Sequence, residues 1–191
     1  MAPELAITAV WVLWVASWIA AAVWSDPAAQ RTGVGESLGY RIATVLGAAL
    51  LFYGGYLSHL HARLWDLGQA GDWTLVAIAV LGLAFTWWAR LYLGRLWSSS
   101  VTKKADHRVV DTGPYAIVRH PIYTGIIAAI FATAALEAHP ISFVGALLLT
   151  LGFWLKARLE ERFLREQLGP EAYDGYRRRV PMLVPFGPRS A

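Results

Sequence analysis

Long runs without a charged residue fill most of this chain. Residues 5–24 form a run of 20, and residues 42–58 and 73–89 form runs of 17 each. The hydrocarbon core of a bilayer is about 30 Å thick, and a helix needs roughly 17 to 25 apolar residues to cross it. Two shorter runs, 121–136 and 141–155, are separated by a short polar turn with a proline, which indicates a helical hairpin. The sequence therefore predicts an all-α integral membrane protein with five transmembrane helices.

Several other classes of protein are disfavoured by the same sequence. Strand and helix patterns do not alternate, which argues against a Rossmann-type nucleotide-binding domain. The chain has no cysteine, so disulfides, thiolate catalysis and zinc–thiolate sites are excluded. His59 and His61 are two residues apart and point to different faces of a helix, so no metal site is predicted. The first run follows a leader without positive charge and is longer than a signal-peptide core, so we expect a retained membrane helix.

Positive charge is distributed unequally among the connections. Of the 17 lysines and arginines, all except Arg63 lie in the first or third connection or after the fifth run. The positive-inside rule then places the N-terminus outside and the C-terminus in the cytoplasm, as for a bacterial or archaeal inner membrane. The basic tail is expected to contact anionic lipid headgroups rather than nucleic acid. Trp11, Trp14 and Trp18 recur at helical spacing and are interpreted as lipid-facing.

The polar chemistry is concentrated in the second half of the chain. Residues 1–93 contain the first three apolar runs with short connections. Residues 94–191 contain a polar loop, the last two runs, and a helical C-terminal extension with its tail, which is predicted to be cytoplasmic. We therefore interpret residues 1–93 as a transmembrane scaffold and residues 94–191 as the catalytic half.

The densest motif is GPYAIVRHPIYTG, residues 113–125, at the start of the fourth run. Pro121 suits the first position of a helix, and His120 and Tyr123 then share the face of its first turn. Gly125 leaves room for a bulky group to approach the backbone. Free N–H groups at a helix start favour carboxylates and phosphates, so a cofactor site is predicted here. The alternative is that these polar residues only anchor the helix among lipid headgroups.

A second polar cluster follows the fifth run, where residues 156–166 continue the helix. Four of its charged residues are predicted to form i,i+4 ion pairs. These pairs are Glu161–Arg165 and Arg162–Glu166. Arg158 and Glu160 have no such partner, and the hairpin brings them near the start of the fourth run. We therefore expect this pair to meet His120 and Tyr123 around one pocket that faces the cytoplasm.

An ordered set of motifs extends through the second half of the chain. In chain order these are Trp97-Ser98, HRVVDTGPY at 107–115, RHPIYTG at 119–125, Glu160-Glu161, Leu168-Gly169, Tyr173 with Tyr176, Arg179-Val-Pro181 and Pro185-Phe186. This set resembles the isoprenylcysteine carboxyl methyltransferase family and its bacterial and phospholipid methyltransferase relatives. The resemblance implies an integral membrane enzyme that uses S-adenosylmethionine without a Rossmann domain.

The resemblance also implies roles for individual residues. The cofactor-binding residues that it implies are His107, Val109, Val110, Gly113, Pro114, Tyr115, His120, Tyr123 and Glu160, with Glu161 as the competitor of Glu160. The substrate-side arginine of the family aligns with Lys156 by strict counting, whereas Arg158 is the nearest arginine. Arg158 and His120 are therefore the predicted catalytic residues.

The implied reaction is methyl transfer to a lipophilic acceptor that enters from the bilayer. A carboxylate acceptor, as in an isoprenylcysteine, is ionised at neutral pH and needs orientation, which an arginine supplies. A phospholipid amine or a small thiol needs a proton acceptor, for which His120 is available. Two other classes stay open: an NADPH-dependent membrane reductase, since sterol reductases share a similar H-P-x-Y-x-G motif, and a membrane scaffold without catalysis. The sequence indicates no required protein partner.

Overall fold

The computed structural model describes residues 2–22, 30–31, 34–57, 63–94, 102–103 and 109–189. In chain order the elements are α1 (Pro3–Ala21), β1 (Gln30–Arg31), α2 (Val34–Leu57), α3 (Gly68–Leu93), β2 (Thr102–Lys103), α4 (Pro114–Ile117), α5 (Pro121–Glu137), α6 (Pro140–Leu168) and α7 (Pro170–Arg179). The predicted all-α fold is confirmed for this part of the chain, with the two-residue strands as the exception.

Four of the described helices, α1, α2, α3 and α6, are long and apolar enough to cross a membrane. The apolar helix α5 is shorter, with 17 residues. The prediction of a membrane protein with several spans is supported by these helices, and the count of five remains a prediction. Because α6 continues for 29 residues, the charged segment 156–166 belongs to the same helix as the fifth apolar run. Its cytoplasmic location remains a prediction.

Proline begins most of the described helices. Five of the seven start with a proline, where the missing N–H removes no intrahelical hydrogen bond. The hairpin between α5 and α6 is closed by Ala138, which adopts the left-handed conformation with φ 55° and ψ 27°. Pro140 then begins α6. The predicted helical hairpin is therefore confirmed.

Two closely packed helix pairs, α2 with α6 and α3 with α5, form the core. A Cβ on Gly47 would lie 2.6 Å from the backbone N of Leu149, and a Cβ on Gly82 would lie 2.6 Å from the carbonyl O of Gly125. Small residues allow such close approach between membrane helices. The sequence predicts that Gly125 leaves room for a bulky group, but the group that approaches it is the backbone of α3.

Tryptophan side chains attach α1 to this core. Trp11 donates its indole N–H to Thr133 Oγ1 in α5 at 2.9 Å, and Trp14 donates to Thr86 Oγ1 in α3 at 2.8 Å. Trp18 stacks on Trp14 with ring centroids 4.8 Å apart. The prediction of lipid-facing side chains is therefore wrong for Trp11 and Trp14. An indole N–H at membrane depth needs an acceptor, and core threonines provide one.

The helix connections gather at two ends of the bundle. At one end, Arg63 Nη2 donates to the carbonyl O of Leu136 at 2.8 Å, and the backbone N–H of Leu64 donates to the carbonyl O of Ala138 at 2.7 Å. Residues 63 and 64, at the described end of the α2–α3 connection, therefore contact the end of α5 and the α5–α6 turn. Elsewhere, β1 pairs antiparallel with β2 and joins the α1–α2 connection to the segment after α3. Which end faces the cytoplasm remains a prediction.

Candidate active site

The segment before α5 packs between α3 and α7. Gly113 adopts φ 57°, and a Cβ there would lie 2.6 Å from the ring of Tyr92, so glycine is needed on both grounds. Tyr115 is buried, its carbonyl O accepts the phenol O–H of Tyr176 at 2.7 Å, and its own phenol oxygen lies 3.5 Å from the carbonyl O of Ala89. The other implied cofactor-binding residues of this segment are Val109 and Val110, both half-buried, the buried Pro114, and His107, which lies outside the described residues.

His120 lies between two carboxylates, immediately before the first residue of α5. Its Nδ1 is 3.5 Å from Glu160 Oε2, and its Nε2 is 3.3 Å from Glu161 Oε1. The imidazole ring is parallel to that of Tyr123, with centroids 5.5 Å apart. Burial by itself lowers the pKa of His120, but the hydrogen bonds and negative charges of the two glutamates outweigh it and raise that pKa above its usual value. The protonated imidazole is therefore favoured.

Glu160 is the more accessible of the two carboxylates. Its side chain is 21% exposed, against 10% for Glu161. Tyr123 donates its phenol O–H to Glu160 Oε1 at 2.6 Å and packs on the ring of Phe153 at 5.2 Å. The structure thus brings His120, Tyr123 and Glu160 together, and their role in binding a cofactor remains a prediction.

Glu161 is held by cations of the protein itself. Its Oε1 is 2.6 Å from Arg119 Nε, and its Oε2 is 3.6 Å from Arg177 Nε. The Arg119 side chain is only 1% exposed, so this carboxylate acts as its buried counter-ion. Among the described residues, no group of three metal-ligating side chains is present. Because Glu161 is paired with Arg119 and Glu160 is more exposed, Glu160 is the glutamate that is more available to a ligand.

The ion pairs of α6 differ from the predicted i,i+4 pairs. Arg165 Nη2 lies 2.9 Å from Asp174 Oδ2 in α7, and Arg162 Nη2 lies 2.6 Å from Glu36 Oε1 in α2. Glu161 faces the start of α5 instead of the next turn of its own helix. The predicted pairs are therefore wrong, because neighbouring helices provide closer partners.

Lys156, and not Arg158, points toward the cluster. The ammonium of Lys156 is 5.4 Å from the ring centroid of Tyr123 and 6.0 Å from that of Tyr40. Arg158 is exposed, and its guanidinium lies 4.8 Å from the ring centroid of Trp154. Residues two apart on a helix do not share a face. The structure therefore does not bring Arg158 to the position expected for it, and Lys156 occupies that side.

The start of α5 is less open to an anion than the sequence predicts. The backbone N–H of Arg119 donates to the carbonyl O of Pro181 at 2.9 Å, and that of His120 donates to the carbonyl O of Met182 at 3.1 Å. Pro121 has no N–H. Backbone carbonyls carry no residue-specific signature, so no pattern in the sequence predicts this docking.

Three residues of the cluster were not predicted from the sequence. Arg119 adjoins His120 in the R-H-P motif, and that position is a signal that could have identified it. Tyr40 comes from α2, and Arg177 comes from α7. No local pattern marks either residue, because each reaches the site through the packing of a distant helix.

Comparison with known proteins shows what the segment around the site is similar to. Residues 75–166 match the isoprenylcysteine carboxyl methyltransferase (ICMT) family. A cobalt-zinc-cadmium resistance protein of Cupriavidus metallidurans is 30% identical over 151 residues, which cover 76% of this chain and 62% of that protein. Protein-S-isoprenylcysteine O-methyltransferase B of Arabidopsis thaliana is 27% identical over 142 residues, 73% of this chain and 67% of that protein. Methanethiol S-methyltransferase 2 of Bradyrhizobium diazoefficiens is 45% identical over 71 residues, 37% of this chain and 26% of that protein.

The matched segment contains most of the candidate site, with Tyr40 and Arg177 outside it. It includes α4, α5 and nearly all of α6, and with them His120, Tyr123 and both glutamates. Their contacts reproduce the convergence that the motifs predict. Through residues 75–166, which carry these side chains, the chain matches the isoprenylcysteine carboxyl methyltransferase family.

Proposed function

We propose that this chain is an integral membrane methyltransferase that transfers a methyl group from S-adenosylmethionine to a lipophilic acceptor, the carboxylate of an isoprenylcysteine-like molecule. The observation that carries the proposal is the contact of His120, Tyr123 and Glu160 within the segment that matches the family. Three relatives named protein-S-isoprenylcysteine O-methyltransferase, 27% to 34% identical, support the choice of acceptor.

The side chains of the cluster fit S-adenosylmethionine chemically. This cofactor is cationic at its sulfonium and ammonium groups, and Glu160 presents a partly exposed carboxylate. Aromatic faces attract cations, and the face of Tyr123 already lies 5.4 Å from the Lys156 ammonium. When bound, the cofactor supplies an activated methyl group on its sulfur. We assign the binding of this cofactor to the segment 107–115 and to the side chains of His120, Glu160 and Tyr123.

Lys156 is the residue that we assign to the acceptor carboxylate. Its ammonium lies beside the rings of Tyr123 and Tyr40, on the side of α6 that faces the cluster. A carboxylate is already ionised at neutral pH, so its attack on a methyl carbon requires orientation rather than proton removal. An ammonium is a point charge without the fork geometry of arginine. We therefore expect acceptor carboxylates to be held by charge, with some tolerance of orientation.

A small thiol is a second candidate acceptor. The methanethiol S-methyltransferase from Bradyrhizobium diazoefficiens has 45% identity to this chain over the 71 residues that align. A thiol must lose its proton before it attacks efficiently. The imidazole of His120 is favoured in its protonated form, so the acceptor that we assign to this proton is the partly exposed carboxylate of Glu160 beside it. The product would be a thioether, which differs from a methyl ester in its stability to alkali.

The test is methyl transfer by the full chain in lipid nanodiscs, with S-adenosylmethionine labelled in its methyl group. The acceptors are an isoprenylcysteine analogue, phosphatidylethanolamine and small thiols. We expect label in a lipid-extractable product that alkali releases as methanol, as a methyl ester requires. E160Q should abolish transfer, whereas E36Q, which changes an exposed carboxylate of α2, should not.

Each other outcome contradicts part of the proposal. Label that resists alkali, in a thioether or a methylated amine, overturns the carboxylate acceptor. Transfer to none of the acceptors overturns the acceptor class. Saturable binding of NADPH without binding of S-adenosylmethionine favours a reductase, and binding of neither favours a scaffold.

We further infer that the N-terminus is outside and the C-terminus in the cytoplasm of an inner membrane, with the basic tail on anionic headgroups and no nucleic acid partner. The chain has no cysteine, so single reporter cysteines can be introduced by R63C and R178C at exposed positions. In intact bacterial cells, a membrane-impermeant maleimide should label R63C and leave R178C unlabelled. The reverse labelling pattern contradicts this orientation.

A further inference from the structure

The chain that follows α7 lies across the start of α5. We call residues 180–183 the strap. The backbone N–H groups of Arg119 and His120 donate to two successive strap carbonyls at 2.9 and 3.1 Å. Thr124 Oγ1 donates to the next carbonyl at 2.6 Å. The strap is therefore bound along the first turn of α5 by consecutive carbonyl groups.

The side chain of Arg119 joins this strap to the candidate site. Arg119 is 4% exposed, and its Nη1 donates to the carbonyl oxygens of Arg177 and Val180, at the end of α7 and the start of the strap. Its Nε donates to Glu161 Oε1 at 2.6 Å. One buried guanidinium thus binds the strap with one nitrogen and a site carboxylate with another.

The same carboxylate oxygen continues the connection to His120. Glu161 Oε1 accepts from Arg119 Nε and lies 3.3 Å from His120 Nε2. An oxygen shared by two donors is fixed in position relative to both of them. The location of Glu161 beside the imidazole therefore depends on where Arg119 is held, and Arg119 is held by the strap.

We propose that Arg119 is a positioning residue that couples the C-terminal strap to His120 through Glu161, so that the strap forms part of the frame of the site. The strap lies outside the segment that matches the family model, which ends at residue 166. The coupling itself follows from the contacts above. Its consequence for cofactor binding rests on the proposed function.

Arginine suits this position because its geometry is fixed. The guanidinium directs its N–H groups in a planar fork, whereas lysine has one nitrogen on a flexible stem. R119K therefore keeps the positive charge but cannot reach the strap carbonyls and Glu161 in the same arrangement. A role that needs only charge survives this change, and a positioning role does not.

The first measurement is hydrogen exchange of the full chain in nanodiscs, without any ligand. In R119K we expect the backbone amides of residues 119 and 120 to exchange at least about tenfold faster, because their strap acceptors are released. Exchange in the α3–α5 core should stay unchanged. R178Q, an exposed arginine of α7, is the matched control and should match the wild type. Unchanged exchange at 119 and 120 in R119K overturns the inference.

A second variant keeps this measurement decisive if R119K does not fold. T124V removes the hydroxyl bond to the strap and leaves every charge in place. We expect the same two amides to exchange faster in T124V, by a smaller factor than in R119K. Unchanged exchange in T124V then overturns the inference in its turn.

The second measurement is the affinity for S-adenosylhomocysteine in a double-mutant cycle. In the otherwise wild-type chain, R119K should weaken binding of S-adenosylhomocysteine about tenfold. In the H120Q background, R119K should weaken this binding less than about threefold, because the effect of Arg119 on the ligand passes through His120. Losses that simply add in the double variant, or no loss in R119K, overturn the coupling to the site. If the wild type does not bind this ligand at all, the proposed function fails, and hydrogen exchange alone decides whether Arg119 holds the strap.

Discussion

Substitution E161Q is expected to lower the free energy of unfolding by about 3–5 kcal/mol. The side chains of Arg119 and Glu161 are 1% and 10% exposed, and the pair distance is 2.6 Å. Removing one partner of a buried ion pair leaves the other charge uncompensated, which costs about that amount. Glutamine has nearly the shape of glutamate, so the change creates no cavity. His120 and Arg177 lose the same carboxylate charge.

Two matched carboxylate-to-amide substitutions, E36Q and E160Q, serve as comparisons for the stability loss in E161Q. E36Q removes a pair with Arg162 whose side chains are 47% and 54% exposed, and surface ion pairs contribute about 0–1 kcal/mol. E160Q retains an acceptor for the Tyr123 phenol, and its contact with His120 is a long one of 3.5 Å. We therefore expect E160Q to cost about 1 kcal/mol while it impairs the proposed cofactor binding.

The assay is thermal unfolding in nanodiscs, followed by the fluorescence of the ten tryptophans. For a chain of this length, each kcal/mol shifts the midpoint by roughly 2–4 °C, so E161Q should unfold roughly 6–20 °C below the wild type. E36Q should stay within about 4 °C. An E161Q midpoint as high as that of E36Q would refute the reasoning, since the buried pair would then contribute no more than an exposed one.

Three further predictions follow from the same geometry. The pKa of His120 is raised in the folded protein, so its contribution to stability is complete below about pH 6.5 and is lost as the pH rises through the folded-state value. Unfolding midpoints should fall over that range in the wild type, and this dependence should be absent in H120Q. G125A should lower the midpoint because its methyl group meets the backbone of α3, whereas G39A, with nothing within 4 Å, should not. K156Q should raise the KM for the acceptor by about tenfold or more, and R158Q should leave it unchanged, as measured by initial rates of methyl transfer.

The membrane helices and the hairpin were predictable because few structures satisfy their sequences. A long uncharged run has to satisfy every backbone group within itself when it lies in hydrocarbon, which leaves a helix. Pro140 begins a new helix soon after α5 ends, so the two helices turn back on each other. Once they are antiparallel, the residues at their far ends become neighbours. The contacts of Glu160 with His120 and Tyr123 follow from that arrangement.

The choice of partner within the polar cluster was not predictable. A charged residue on a helix has several partners within reach, and local i,i+4 pairs contribute only about 0.2–0.5 kcal/mol. Glu161 therefore pairs with Arg119 from another helix start, and Arg165 with Asp174, once packing brings them close. The helix phase of α6 likewise decides that Lys156, and not Arg158, points toward the polar cluster. The chemistry of a carboxylate acceptor by itself favours the arginine.

Helix geometry explains why the site forms far from the hairpin turn. Glu160 follows Pro140 by 20 residues in α6, which at 1.5 Å per residue is about 30 Å. Tyr123 precedes Glu137 by 14 residues in α5, which is about 21 Å. Side chains tilt toward the N-terminus of their own helix, so Tyr123 points away from the turn and Glu160 points back toward it. Because the two side chains tilt in opposite directions along the bundle, they compensate for the difference between these two distances from the turn. The phenol O–H of Tyr123 can therefore reach Glu160 Oε1 at 2.6 Å.

The same distances relate the site to the bilayer. With the hairpin turn at one boundary of a hydrocarbon core about 30 Å thick, the contact between Tyr123 and Glu160 lies just inside the other boundary. That depth is within reach of water for the proposed charged cofactor and within reach of lipid for the proposed apolar acceptor. Moving α6 along α5 by one turn, about 5.4 Å, would separate the phenol from the carboxylate. Gly47 allows α2 to pack closely on α6, and Gly125 allows α5 to pack closely on α3, so each of the two helices that carry the site is held against another helix of the core.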